Sequence, residues 1–139
     1  MIGNSLKHTP PLGWFGGLSL IRSGAHKNRL DRKLAGVVPI VDLGRVYALK
    51  GGITALNTRE RIKIAGETGV ISPVGARDLL DAYDLIAETR LRHQSLQIRS
   101  GGAPDNFFDP TRGSELERNH LRDAFMVVKT MQSALGSLF

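Results

Sequence analysis

The 139-residue sequence contains no cysteine, so it can form neither a disulfide framework nor a thiolate metal site, and a reducing cytoplasm is the compartment this favours. No apolar run approaches the roughly 18 residues that a membrane span needs. The first residues hold a single Lys7 and then prolines and glycines, which is not the pattern of an apolar signal core. We therefore expect a cytoplasmic protein without membrane association.

Motifs that hold phosphates or metal ions are missing as well. No glycine-rich run leads into Gly-Lys-Ser or Gly-Lys-Thr, and the four histidines show no i, i+4 pairing of the kind zinc sites use. Gly113-Ser114 followed by Asp123 has the outline of a nucleotidyl-transfer site, but that chemistry needs a second carboxylate for its metal, and position 125 is Phe. We expect no metal, no cofactor and no catalysis from this chain alone.

Positive charge is present in excess and is concentrated in the first half of the chain. The net charge is +6, and residues 1–70 hold 11 Lys or Arg against 4 Asp or Glu, whereas residues 71–139 hold 8 against 9. A basic half is typical of proteins that contact nucleic acid, nucleotide phosphates or an acidic protein surface. A solvated basic face that only keeps the protein soluble explains the charge equally well, because aromatic residues do not interleave with it.

Helical signals cover most of the chain after an extended lead-in at residues 1–24, which prolines and glycines keep from being helical. Pro39 suits a first helical position, and Asn57, Ser72 and Ser114 are placed to cap three further helices. The segment that begins at Ser72 is the longest and would span roughly 40 Å. We predict an all-α, antiparallel helical bundle of four to five helices over residues 25–139, with one long helix.

The long helix carries an apolar face that turns polar halfway along. Leu79, Tyr83 and Ile86 lie on it first; the residues that continue it are Arg90, His93, Gln94 and Gln97. Such residues either form a buried polar network or line a cleft, and the network is favoured. We predict that Arg90 is largely buried and pairs with Glu117, which lies on the apolar side of the last helix. The opposite, acidic face (Asp78, Asp81, Asp84 and Glu88) is read as solvated rather than metal-binding.

A resemblance to a known family rests on motifs spread in order over residues 9–139. In the first half they are Pro11-Leu12-Gly13-Trp14-Phe15, Arg29-Leu30-Asp31-Arg32-Lys33, Pro39-Ile40-Val41-Asp42 with Arg45 and Ala48-Leu49, and Asn57-Thr58-Arg59-Glu60-Arg61. In the second half they are Arg90-Leu91-Arg92-His93-Gln94, Pro104-Asp105-Asn106 leading to Asp109-Pro110, and Leu116-Glu117-Arg118 with Leu121 and Ala124-Phe125. With these motifs the chain resembles the putative nucleotidyltransferase substrate-binding domain of bacterial signalling proteins. Arg32 and Phe107-Phe108 depart from the usual pattern.

The resemblance implies a non-catalytic accessory domain that helps to hold the substrate receiving the nucleotide. In that family the domain follows a nucleotidyltransferase-like catalytic domain, often with CBS-domain pairs upstream, and nucleoside triphosphate and Mg²⁺ would belong to the catalytic domain. The acceptor is a protein in the wider relatives. The residues that the resemblance implies for substrate binding are Lys33, Arg45, Asn57, Thr58, Arg61, Arg90, His93, Gln94 and Asn106.

Two other classes of function stay open. The domain can be an interaction or homodimerisation module without a ligand, in which case the long helix should show an exposed apolar patch. A substrate module should instead gather Lys33, Arg45, Arg61 and Arg90 around one concavity, with Asp42 holding Arg45 at i, i+3 spacing. Direct nucleic-acid binding ranks third, since no helix concentrates arginines on one exposed face.

Overall fold

A computed structural model describes residues 30–31, 36–105, 107–108 and 114–138. Most of this part of the chain is helical, in the order α1 (Val38–Gly51), α2 (Thr58–Glu67), α3 (Pro73–Arg99) and α4 (Glu115–Ser133), and a 3-10 turn (Ala134–Leu138) follows α4 directly. Their lengths of 14, 10, 27 and 19 residues confirm the predicted all-α fold with one long helix. The predicted lead-in, residues 1–24, lies outside the described residues.

Three of the helices begin at the predicted capping side chains. Each capping side chain accepts a hydrogen bond from the backbone amide three residues later. The Glu60 amide donates to Asn57 at 2.8 Å, and the amides of Gly75 and Glu117 donate to Ser72 and Ser114, each at 3.0 Å. These bonds satisfy donors that have no partner within a first helical turn. The boundaries of α2, α3 and α4 are therefore encoded locally in the sequence.

The first helix differs from its prediction in its details. It begins at Val38, with Pro39 in second position, and it ends at Gly51. The residue that caps it is Gly52, whose φ of 63° is the left-handed conformation that glycine adopts without cost. Of the two charged residues one turn apart on this helix, Asp42 is buried and Arg45 is exposed. Leu49 is exposed too, so α1 does not have the fully covered surface that a central helix would have.

The long helix α3 runs antiparallel to both of its neighbours. Arg59, at the start of α2, forms an ion pair with Asp84, whereas Gly66, near the end of α2, lies against Ala76. On the other side, Gly75 lies against Met131, near the end of α4. The helix α1 packs on α2 and α4 and completes the bundle. The core consists of aliphatic residues from all four helices together with the two rings of Tyr47 and Phe125.

A short strand pair at the edge of the bundle was not predicted. β1 (Leu30–Asp31) pairs antiparallel with β2 (Phe107–Phe108), so that Leu30 faces Phe108 and Asp31 faces Phe107. Strands of two residues are too short to show a period of two in the sequence, which is the signal that strand prediction uses. The pair ties the chain before α1 to the connection between α3 and α4.

Candidate functional site

Arg45 is exposed, and a buried carboxylate orients it. The Arg45 side chain keeps 52% of its surface accessible, while that of Asp42, one turn earlier on α1, keeps 2%. The Arg45 Nη1 atom lies 3.5 Å from Asp42 Oδ1, which confirms the predicted i, i+3 contact. A buried acid beside an exposed base holds the guanidinium near the protein surface and leaves much of it open to a partner.

The start of α2 brings two more predicted residues to this part of α1. A Cβ placed on Gly44 would stand 3.5 Å from Thr58 Cγ2 and 3.8 Å from Arg61 Cβ, so both residues line the contact between the two helices. The half-buried Arg61 donates from Nε to the backbone oxygen of Ala55 at 2.8 Å. That bond uses one of the five N–H donors of its guanidinium. We call Arg45, Thr58 and Arg61 the α1–α2 corner.

Asn57 has a structural role beside this corner. Its side-chain oxygen accepts the Glu60 amide and caps α2. The cap fixes the direction in which α2 leaves the loop, and with it the positions of Thr58 and Arg61. A role of Asn57 in substrate binding stays a prediction.

The polar stripe of α3 fastens the connection that follows the helix. Gln94 Nε2 donates to the backbone oxygen of Asp105 at 2.9 Å, and the Asp105 amide donates to Gln97 Oε1, also at 2.9 Å. His93 Nε2 lies 3.4 Å from Asp105 Oδ1, and the Phe107 amide donates to the same oxygen at 3.0 Å. We call these contacts the Asp105 clasp. They are a polar network of the kind favoured from the sequence.

The electrostatics of the clasp favour a charged Asp105. Partial burial acts to raise the pKa of this carboxyl, but the hydrogen bonds from the Phe107 amide and from Gln97, together with the nearby His93, outweigh it and leave the pKa below its usual value. Asp105 therefore carries a negative charge across the physiological range. Sequence reasoning placed Asp105 in a motif without giving it a role, although a polar stripe on α3 required a polar partner.

Arg90 lies one turn before the clasp and is partly buried, with most of its surface covered, as predicted. Glu117 is half-buried as well, and the pairing of the two stays a prediction. Arg90 follows Asp84, the partner of Arg59, by six residues or about 9 Å along α3. The α1–α2 corner therefore lies beside the middle of α3, and the clasp lies toward the C-terminal end of that helix. Lys33 and Asn106 lie outside the described residues, and a single concavity around the predicted residues stays a prediction.

The acidic face of α3 is solvated, as predicted. Asp78, Asp81, Asp84 and Glu88 are all exposed. Glu88 pairs with Arg92 at 2.8 Å, one helical turn away, and Asp84 pairs with Arg59. Among the described residues there is no group of three or more His, Cys, Asp or Glu side chains placed to hold a metal ion.

The fold and these contacts define a mostly helical domain with a basic corner formed by α1 and α2 and a polar clasp at the C-terminal end of α3. The chain belongs to the family described as putative nucleotidyltransferase substrate binding domain, whose model matches residues 1–139. A search of the curated proteins and a search of the solved structures each found no match. In the part of the chain that the structure describes, none of the helices has both the length and the apolar character that crossing a membrane requires.

Proposed function

We propose that this chain is the non-catalytic substrate-binding domain of a cytoplasmic nucleotidyltransferase that acts in signal transduction. We propose that the parent protein is of the kind that also contains CBS domains. The catalytic domain of that nucleotidyltransferase binds the nucleoside triphosphate and Mg²⁺. This chain positions the acceptor, which we propose to be a protein. The observation that carries the proposal is the family match over the whole length.

The geometry of the α1–α2 corner also supports the proposal. Arg45 is exposed and oriented by Asp42, and Arg61 lies one helix away in a half-buried position. Two guanidinium groups held by fixed partners form a surface suited to the phosphates of a nucleotide or to the acidic side chains of an acceptor.

The test is nucleotide transfer by the cognate catalytic domain, measured with and without this chain. Adding the chain should increase labelling of the acceptor, and Arg45→Ala and Arg61→Ala should each raise the KM for the acceptor while kcat changes little. Lys63→Ala is the matched control, since Lys63 is an exposed base on α2 and should leave KM unchanged. Equal labelling with and without the chain would contradict the proposal.

A homodimerisation module is the second candidate, and exposed apolar residues on α3 favour it. Leu91 and Ile98 are 65% and 61% exposed and lie seven residues apart, which places them on the same side of the helix. Sedimentation velocity on the full chain distinguishes the two functions. This candidate is supported if the wild-type chain forms a dimer and the double variant Leu91→Ser with Ile98→Ser is a monomer. Leu56→Ser is the control and should remain a dimer, because Leu56 is 88% exposed but lies before α2.

A further inference from the structure

A cleft of about 400 Å³ opens at the other end of α2 from the α1–α2 corner. The turn between α2 and α3 forms one wall with Val70, Ile71 and Ser72. Met131, near the end of α4, and Ala134, at the start of the 3-10 turn, form another. Tyr47 is the residue that α1 contributes. The ten residues of α2 separate this cleft from the corner by roughly 15 Å. Its volume lies in the range of pockets that bind small molecules.

The Tyr47 hydroxyl is the unusual feature of this wall. The residue is 1% exposed, and among the described residues its hydroxyl has no hydrogen-bond partner. Buried polar groups are nearly always paired, so an unpaired one calls for an explanation, such as a ligand. Burial also raises the pKa of Tyr47 well above its usual value, so the hydroxyl remains a proton donor.

The start of α3 adds a second preference for a hydrogen-bond acceptor. Ser72 caps this 27-residue helix within the cleft wall, and a helix N-terminus carries partial positive charge. The described side chains that line the cleft include no ionised group, and most of them are apolar. The wall therefore combines an apolar surface, a buried donor and the positive end of a long helix.

We propose that this cleft binds a small carboxylate with an apolar body, whose carboxylate accepts a hydrogen bond from Tyr47 while the body packs on Val70, Ile71 and Met131. Because the hydroxyl is out of contact with solvent, a ligand oxygen reaches it when a wall side chain moves. Met131 has the flexible thioether side chain best suited to that movement. The site is separate from the residues proposed to hold the acceptor.

Benzoate and toluene, which differ in the carboxylate and share the ring, are the probes for an NMR titration of the full chain. Benzoate should shift the amides of Val70 and Ile71 and the methyl of Met131. Tyr47→Phe should weaken benzoate binding at least tenfold and change toluene binding less than twofold. Ala134→Trp should fill the cleft and abolish binding of both probes.

Two results would overturn the proposal. The first is the absence of benzoate shifts in the cleft of the wild-type chain; the second is equal benzoate affinity in wild type and Tyr47→Phe. Circular dichroism shows whether Tyr47→Phe keeps its fold. If that variant is unfolded, the Ala134→Trp result decides, because benzoate shifts that persist in it cannot come from this cleft.

Discussion

Asp105 connects three parts of the chain through one side chain and its own backbone. Its backbone is bound by Gln94 and Gln97 of α3, and its carboxylate accepts the Phe107 amide and faces His93. Because Phe107 belongs to the strand pair, these contacts also set the position of β1 next to α1. The backbone and the carboxylate of one residue thus organise the connection between the two longest helices.

The lowered pKa of Asp105 predicts a pH dependence of stability. A carboxyl whose pKa falls on folding stabilises the protein above its unfolded pKa of about 3.9, and this stabilisation is lost as the pH falls through the folded pKa. Asp105→Asn should lower the free energy of unfolding by about 1 kcal/mol at pH 7. The difference from wild type should begin to shrink below pH about 3.9 and should disappear once the pH is below the lower pKa that Asp105 has in the folded protein.

Urea unfolding from pH 7 to pH 3 measures this difference. Asp81→Asn is the matched control, since Asp81 is exposed on α3 and the change should stay within about 0.5 kcal/mol. A difference between Asp105→Asn and wild type that is constant over the whole range would show that the charge of Asp105 does not contribute.

Arg90 and Glu117 can be tested for the predicted pairing by a double-mutant cycle. Removing one partner from a fully buried pair costs roughly 3–5 kcal/mol, and because both residues are half-buried we expect a smaller cost for Arg90→Met or Glu117→Gln. If they pair, the double variant should be more stable than the sum of the single changes predicts, by about 0.5–3 kcal/mol. Additive effects would show that the two side chains act independently, and near-normal melting of Arg90→Met with loss of acceptor binding would indicate a ligand-facing arginine.

At the scale of elements, the contact between α2 and α3 depends on a glycine. A Cβ added at Gly66 would stand 2.5 Å from Cβ of Ala76, which is closer than two such atoms can approach, and neither atom belongs to a flexible side chain. Gly66→Ala should therefore separate the helices and destabilise the protein by about 1–3 kcal/mol. Thermal unfolding measures the effect, and adding Ala76→Gly should restore much of the loss.

Gly44→Ala is the control for Gly66→Ala. Its Cβ would meet Thr58 Cγ2 at 3.5 Å, an ordinary contact, so alanine should be neutral or should stabilise α1 by up to about 1 kcal/mol through its higher helix propensity. Equal destabilisation by the two substitutions would indicate that loss of glycine flexibility, rather than the close contact with Ala76, is the cause.

The predictable elements are those whose signals are local. Asn57, Ser72 and Ser114 cap their helices because a side chain and an amide three residues on are neighbours in any helical turn. The strand pair and the Asp105 clasp join residues whose proximity depends on the whole fold. The change of polarity after Ile86 on α3 indicates a polar network, but it does not identify Asp105 as a member, because the connection containing Asp105 has no periodicity that would place it against α3.

At the scale of the whole molecule, the bundle separates two kinds of surface. The α1–α2 corner lies beside the middle of α3, the clasp lies toward the C-terminal end of that helix, and the apolar cleft lies where α3 begins. The excess of positive charge in the first half of the sequence is consistent with a basic corner formed by α1 and α2. The basic surface and the cleft can therefore be altered separately by mutation.

The last prediction is that the isolated chain transfers no nucleotide from any triphosphate. The Gly113-Ser114 sequence is followed by Asp123, but Phe125 occupies the position where a second carboxylate would hold the metal, and the core buries its ring. Glu115 and Glu117 are also one residue apart, but in the first turn of α4 their side chains leave the helix about 200° apart and cannot bracket one ion.

Pure protein incubated with Mg²⁺ and each labelled nucleoside triphosphate should show no label on itself or on an added acceptor. The same reaction with the cognate catalytic domain added is the positive control, since that domain supplies the paired carboxylates on which the transfer depends. Asp123→Asn distinguishes activity of this chain from that of a contaminating enzyme. Activity of this chain would depend on its own carboxylates, whereas activity of a contaminant would be the same in the variant. Magnesium-dependent labelling that purifies with the chain and disappears in Asp123→Asn would show that the domain has a catalytic centre of its own.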